Sequence, residues 1–365
     1  RFLLDLTPVD VQANRHAFLH EGVDPTFTYR PLEDRTEVLR AELAAIPVAD
    51  VEDRTFGHLL RAKHRELELQ LEMLDARDTA DFMPLGIELY GAVAPGLLDH
   101  AERLLSEIDP PAGTSDGRRL DAEEFAALAE AELAHYRAID PDIGLHVEIR
   151  TDASGIMVSG PDLIVSTSAT VAADRAHALL QHEVGTHLLT YVNGSCQPVR
   201  IMATGLAGYE ETQEGLAILA EYLVGGLSPT RLRQLAARVV AVHHATLGAP
   251  FAEVHRHLVD AGLSPGRAFT TTMRALRAGG LTKDAIYLRG LLGLLDHLGH
   301  GGTLDLLWLG KLPLDDLPLV GELADRGLLA APKVLPRYLA DPATDARLAR
   351  AAGITDPAEL IGYST

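Results

Sequence analysis

The sequence predicts a mostly helical α+β fold with a small β-sheet just ahead of a histidine-bearing helix. Three observations point there. Long stretches repeat apolar residues at spacings of three and four, the period of a helix with one buried face. A single region changes texture at Leu145, where "LHVEIRT" alternates with period two and two further short strand candidates follow. That region leads into "LLQHEVGTHLLT", Leu179 to Thr190, where ionisable side chains interrupt an apolar helical run. Strands gathered in one place, with helices before and after, define α+β rather than alternating α/β.

Residues 1 to about 45 mix turn residues with a short amphipathic stretch at "TEVLRAELAAI". Thr55 to Ala76 reads as one long helix. Pro84 interrupts or opens "DFMPLGIELYG", because a proline has no N–H to give and is tolerated in a first turn. A helix follows from about Gly96 to Ile108. "PPAGTSDG", Pro110 to Gly117, is the clearest loop, and "DAEEFAALAEAELAHYRAI" returns to helix. We read residues 1–140 as a helical N-terminal lobe continuous with the rest, and residues 141–365 as the core that carries the chemistry.

"LHVEIRT", "GIMVSG" and "DLIVS" supply three short strands, and "DLIVS" is expected to offer an edge to an extended peptide. Thr167 to Thr170 provide capping groups, with Asp174 in the first turns of the next helix. Beyond Gly205 the chain is almost wholly helical, with helices over about 211–224, 230–247, 251–261, 266–278, 282–298 and 303–309. No repeat of solenoid length is present.

Composition excludes some function classes. Asp and Glu outnumber Lys and Arg by 52 to 32, a formal net charge of -20. Nucleic acids and anionic membranes are therefore not expected as partners. No apolar run reaches membrane-spanning length, and "RFLLDLTPVD" lacks the form of a signal peptide. The single cysteine, Cys196, cannot form an intrachain disulfide, so a reducing, cytoplasmic setting is expected and the thiol is read as packed. Asn193-Gly194 is read as a turn.

The chemistry centres on His182, Glu183 and His187, an HExxxH motif. On a regular α-helix a step of five turns a side chain by about 140°, so two such histidines diverge. One inserted residue, a π-bulge, would bring His187 back into register, and Gly185 lies where the helix must deform. Zinc commonly takes His2Glu and keeps a fourth position for water. The third ligand is sought in "YEETQEGLAILAEYL". Glu214 is preferred because Gly215 would allow a close approach to the first helix, with Glu211 and Glu221 as alternatives. Glu221 could instead accept a hydrogen bond from a ligating histidine. Glu183 then has the place of a general base that activates zinc-bound water and later protonates a leaving amine.

"HEVGTH", "NGSCQP", "QEGLA" and "LTKDAIYLRG" together resemble the metallopeptidase family of the microtubule-associated tyrosine carboxypeptidase, in its bacterial QEGLA-motif branch. The similarity runs from "IELYG" through "GIMVSGPDLIV" to "LDLLWLGKLPLDDL". It implies a zinc carboxypeptidase with ligands at His182, His187 and Glu214 and a catalytic Glu183. It further implies a peptide or protein C-terminus as substrate, with tyrosine or another aromatic residue released. Gln213 stands where the animal proteins have a second glutamate. At a net charge of -20, binding to the acidic tubulin tail is not expected.

A carboxypeptidase needs a cation for the terminal carboxylate, and arginine suits it through its planar fork. Arg274 and Arg289 lead, Lys283 shares a helix face with Tyr287, and Arg277, on the face of Arg274, with Arg150 and Arg200 are further options. Tyr287 could donate its hydroxyl to the tetrahedral oxyanion, although packing explains a tyrosine there equally well. His177 is read as packing near the site, and His243, His244, His255 and His257 as helix-surface or core histidines. Two other functions fit the same residues: a zinc amidohydrolase acting on a small peptide-like metabolite, and a non-enzymatic regulatory protein that retains the metal site.

Overall fold

The computed structural model describes residues 2–32, 35–110, 117–153 and 155–361, so residues 111–116 of the expected loop lie outside it. The chain is a mostly helical α+β protein. It divides into two compact units, Arg1–Pro111 with Pro229–Leu288, and Ala112–Ser228 with Arg289–Thr365. Among the described residues, no helix is long and apolar enough to cross a membrane.

In the first unit, the long helix Arg54–Asp75 starts where the Asp53 carboxylate accepts from the N–H groups of Thr55 and Phe56. Such a cap is worth about 1 kcal/mol. Its C-terminal turns contribute Leu71, Met73 and Leu74 to a core shared with Leu6, Phe82 and Ile286. Pro84 is the third residue of helix Phe82–Tyr90, so it opens that helix and does not break it. The helix expected through Ala278 ends at Leu276, because Ala278, Gly279 and Gly280 all have positive φ. The helix expected from Thr282 begins as a 3-10 turn, Thr282–Ala285, and becomes α-helical only at Ile286.

In the second unit, Asp121 and Glu124 form a reciprocal capping box ahead of helix Ala122–Ile139. The three anticipated strands are His146–Arg150, Ile156–Ser159 and Asp162–Ser166. Asp162–Ser166 lies between the other two, parallel to His146–Arg150 and antiparallel to Ile156–Ser159. This overturns the expectation that "DLIVS" offers a peptide-binding edge. A central strand has its backbone groups engaged on both sides, and any edge belongs to its neighbours. Leu163 and Val165 pack with Phe125, Leu133, Leu180 and Val184, so sheet and histidine helix share one core.

Two further readings are corrected here. Asn193 and Gly194 do not form a turn; they lie in helix Leu189–Ser195. The buried Asn193 amide donates to the Val334 carbonyl at 2.8 Å and accepts from its N–H at 3.0 Å, so the side chain mimics a backbone pairing. Cys196 follows the helix end and is exposed, not packed. A two-residue ladder, Arg119–Leu120 with Val171–Ala172, is too short to register as period-two alternation. Helices Leu317–Asp325 and Pro342–Ala351 complete the C-terminal part.

Candidate metal and catalytic centre

Helix Ala176–His182 passes into a π-helical turn, Glu183–Leu188, before regular helix resumes at Leu189. The wider turn carries hydrogen bonds to the fifth residue and returns His187 to the side of His182, as the five-residue spacing requires. The two imidazole centres are 5.1 Å apart with their planes at 80°. Gly185 sits inside the widened turn, where a Cβ would lie 2.6 Å from Gln181 Oε1 and 3.1 Å from Tyr338 Cε1. Its absent side chain therefore makes room on the packed side of the turn.

Glu214 comes from helix Tyr209–Leu223. Its Oε2 is 3.8 Å from His182 Nε2 and 3.7 Å from His187 Nε2. Ligands about 2.1 Å from a tetrahedral zinc would be roughly 3.4 Å apart, so the carboxylate needs to close only slightly on each imidazole nitrogen to share an ion. Two imidazole nitrogens and one carboxylate are a donor set suited to zinc, and the residues fit such an ion. Among the described residues this is the group of His, Cys, Asp and Glu side chains spaced to share a metal.

The reason given for choosing Glu214 needs correction. Gly215 makes its close approach to Gly290, where an added Cβ would lie 2.3 Å from the Gly290 carbonyl carbon, and not to the histidine helix. Glu211 is not at the centre either, because its Oε2 accepts from Arg289 Nε at 2.6 Å. Gln213 is buried and accepts from the Thr190 hydroxyl at 2.9 Å, tying the two site helices together with a neutral side chain.

Glu221 supports the ligand one step behind. His182 Nδ1 lies 2.9 Å from Glu221 Oε1, while Arg175 Nη2 donates to Glu221 Oε2 at 2.6 Å. An ionised carboxylate only accepts, so Nδ1 carries the proton and Nε2 presents its lone pair toward Glu214. Glu183 is buried beside His182.

The sequence reading missed Lys311. It stands in "LWLGKLPL", and a single charge inside an apolar run was the available signal. Its ammonium lies 5.9 Å from the ring centres of both Tyr191 and Tyr209. Burial pushes it down to about 8, against the opposing pull of Glu210, Glu214 and Glu183. A cation held among three carboxylates offsets part of their mutual repulsion.

The other anticipated residues have definite partners. Arg274 is held by Asp284, and Arg289 by Glu211. Lys283 is buried with its ammonium 5.5 Å from the Tyr90 ring centre, and the Tyr287 ring lies 4.5 Å beneath the Arg238 guanidinium. His177 is exposed, which corrects its reading as a packing residue. His244 and His257 meet across two helices with nitrogens 2.9 Å apart.

A helical α+β chain thus brings two histidines and a glutamate together in a group able to hold a metal ion, with a further glutamate beside them. Residues 16–355 match the family described as microtubule-associated tyrosine carboxypeptidase, and the chain belongs to that family. Comparison with curated proteins gives no match. Among solved structures, the chain is similar to a protein from Colwellia psychrerythraea classed as a lipoprotein, at 14% identity and a TM-score of 0.39. The similarity covers 87% of this chain and 55% of that one, so the chain spans about half its length.

Proposed function

We propose that this protein is a zinc-dependent carboxypeptidase that hydrolyses the C-terminal peptide bond and releases tyrosine or another aromatic residue. The observation that carries the reading is the convergence of His182, His187 and Glu214, with Glu183 adjacent, in a member of a carboxypeptidase family. Zinc held by these three residues would supply Lewis acidity for a water molecule and a substrate carbonyl. Glu183 takes the proton of the attacking water and hands it to the leaving amine. Glu221 fixes the tautomer and orientation of His182. Lys311 adds positive charge beside Glu183 and Glu214. Arg274, Arg289 and Lys283 as carboxylate partners, and Tyr287 as a hydroxyl donor, belong to the same proposal. A net charge of -20 argues for peptide termini other than the acidic tubulin tail.

The test is a set of peptides with free or amidated C-termini, incubated with zinc-loaded protein and read by mass spectrometry. Loss of one residue from the free peptides alone is the expected result. Equal cleavage of both forms would move the assignment to an amidohydrolase, and no cleavage across a broad library would remove the enzymatic reading. A second expectation concerns Glu221→Gln, which keeps the shape but loses the charge that orients His182. Zinc affinity should fall about 10- to 100-fold in a chelator competition. An unchanged affinity would show that the His182–Glu221 pair does not support the ligand.

A further inference from the structure

The π-helical turn Glu183–Leu188 is followed and preceded by side chains that pair outside the helix. Its wide spacing is explicit at Leu189, whose N–H reaches back five residues to the Val184 carbonyl. Beyond the turn, the buried Asn193 amide exchanges two hydrogen bonds with the backbone of Val334. One helical turn further on, Gln197 does the same with Ala330, its Nε2 donating to the carbonyl at 2.9 Å and its Oε1 accepting from the N–H at 2.8 Å. A side-chain amide presents a donor and an acceptor side by side, so each pairing mimics one rung of a sheet. Residues 330–334 thus run antiparallel to the helix, four residues matched against four.

The same segment continues to the other end of the turn. Arg337 N–H donates to the Tyr136 hydroxyl at 3.1 Å, and Arg337 Nη2 pairs with Oε2 of the buried Glu132 at 2.6 Å. Glu132 Oε1 in turn accepts at 3.2 Å from Nε2 of Gln181, the residue immediately before His182. Buried Tyr338 lies against Gly185 inside the turn, and Val334 shares a core with Val184, Leu188 and Val192. One extra residue in a regular helix rotates everything after it by about 100° and shifts it by about 1.5 Å. Asn193 and Gln197 would then swing away from residues 330–334 while Gln181 stayed on Glu132. With both ends fixed, the extra residue is accommodated only by a wider turn between them. Such turns are rare in isolation, so groups outside the turn must hold it. We infer that residues 330–338 form a strap that keeps the turn widened, with Asn193, Gln197 and Glu132 as positioning residues for His182 and His187. The inference rests on the proposed zinc site, which the turn serves, and makes no use of the substrate.

The experiment measures zinc affinity by chelator competition, and the visible absorption of the cobalt-substituted full chain, whose bands respond to ligand geometry. Asn193→Ala is expected to weaken zinc binding by about tenfold or more and to shift the cobalt bands. Glu132→Gln keeps the shape, loses the ion pair with Arg337, and is expected to act in the same direction. Asp121→Ala removes the capping box of helix Ala122–Ile139 and serves as the control. It should lower the urea midpoint and leave affinity and spectrum unchanged. If Asn193→Ala does not fold, Gln197→Ala carries the test, because its partner Ala330 is exposed and water can replace the lost bonds. Wild-type affinity and spectrum in the folded strap variants overturn the inference, and so does an equal loss in Asp121→Ala. A wild-type chain that binds neither metal removes the proposed zinc function and the role of the strap together. Unaltered variants of a chain that does bind zinc remove the strap alone.

Discussion

Replacing Glu183 by glutamine is expected to lower kcat/KM by on the order of 10²–10⁴ while zinc stays bound. Glu183 is not among the three converging ligand atoms, so its loss should leave His182, His187 and Glu214 able to hold an ion. Glutamine has nearly the same shape and cannot take up a proton, so the change falls on the chemical step. The decrease should therefore appear in kcat with KM little changed. The measurement is steady-state hydrolysis of a responsive free-terminus peptide, paired with metal analysis of the same preparation. Unchanged turnover in a zinc-replete variant would assign the base to another group. Loss of zinc along with activity would instead make Glu183 part of the metal-binding set.

A second large effect is expected at Gly290. Its α-hydrogen faces helix Tyr209–Leu223, where an added Cβ would fall 2.0 Å from the Glu211 carbonyl oxygen and 3.2 Å from the Gly215 nitrogen. These are backbone atoms of a helix, with no flexible side chain to move aside. Gly290→Ala must push the two segments apart, at a cost of about 3 kcal/mol or more. The displaced helix carries Glu214, so zinc affinity should fall together with stability. Urea unfolding and chelator competition on the variant would read both. A variant with wild-type midpoint and wild-type affinity would show that the glycine contact does not position the ligand.

Much of the local architecture was legible in the sequence because it depends on local chemistry. Apolar residues three and four apart gave the long helix, found at Arg54–Asp75, and Asp121 with Glu124 closes the cap of the next such stretch. Alternation marked the first strand, and short apolar runs bounded by turn residues marked the other two, found at His146–Arg150, Ile156–Ser159 and Asp162–Ser166. The positive-φ run at Ala278 to Gly280, which ends one helix early, was only half visible: two glycines announce it, while an alanine with φ of 59° does not. Strand order was invisible, since period two says which face is buried and not which neighbour lies alongside.

The candidate centre divides in the same way. His182 and His187 five residues apart demand a widened turn if they are to meet, and the π-helical turn at Glu183–Leu188 supplies it. Glu214 was one of several carboxylates in its helix, and the structure separates them by where each points. Glu214 faces the histidines, Glu211 faces Arg289, and Glu221 stands behind His182. Lys311 lies far along the chain from all three, and no spacing rule connects it to them.

By itself the sequence determined the helical and strand segments, the motif "HEVGTH" and the family resemblance. These follow from periodicities and spacings within a few turns of chain, where one residue fixes the direction of the next. Only the tertiary structure decided which strand lies at the centre of the sheet, that Glu221 stands behind His182 while Glu211 turns to Arg289, and how Arg238 and Arg274 come to face one carboxylate. Each of those depends on which distant segments pack together, and burial then sets the electrostatic strength of every charge they bring with them.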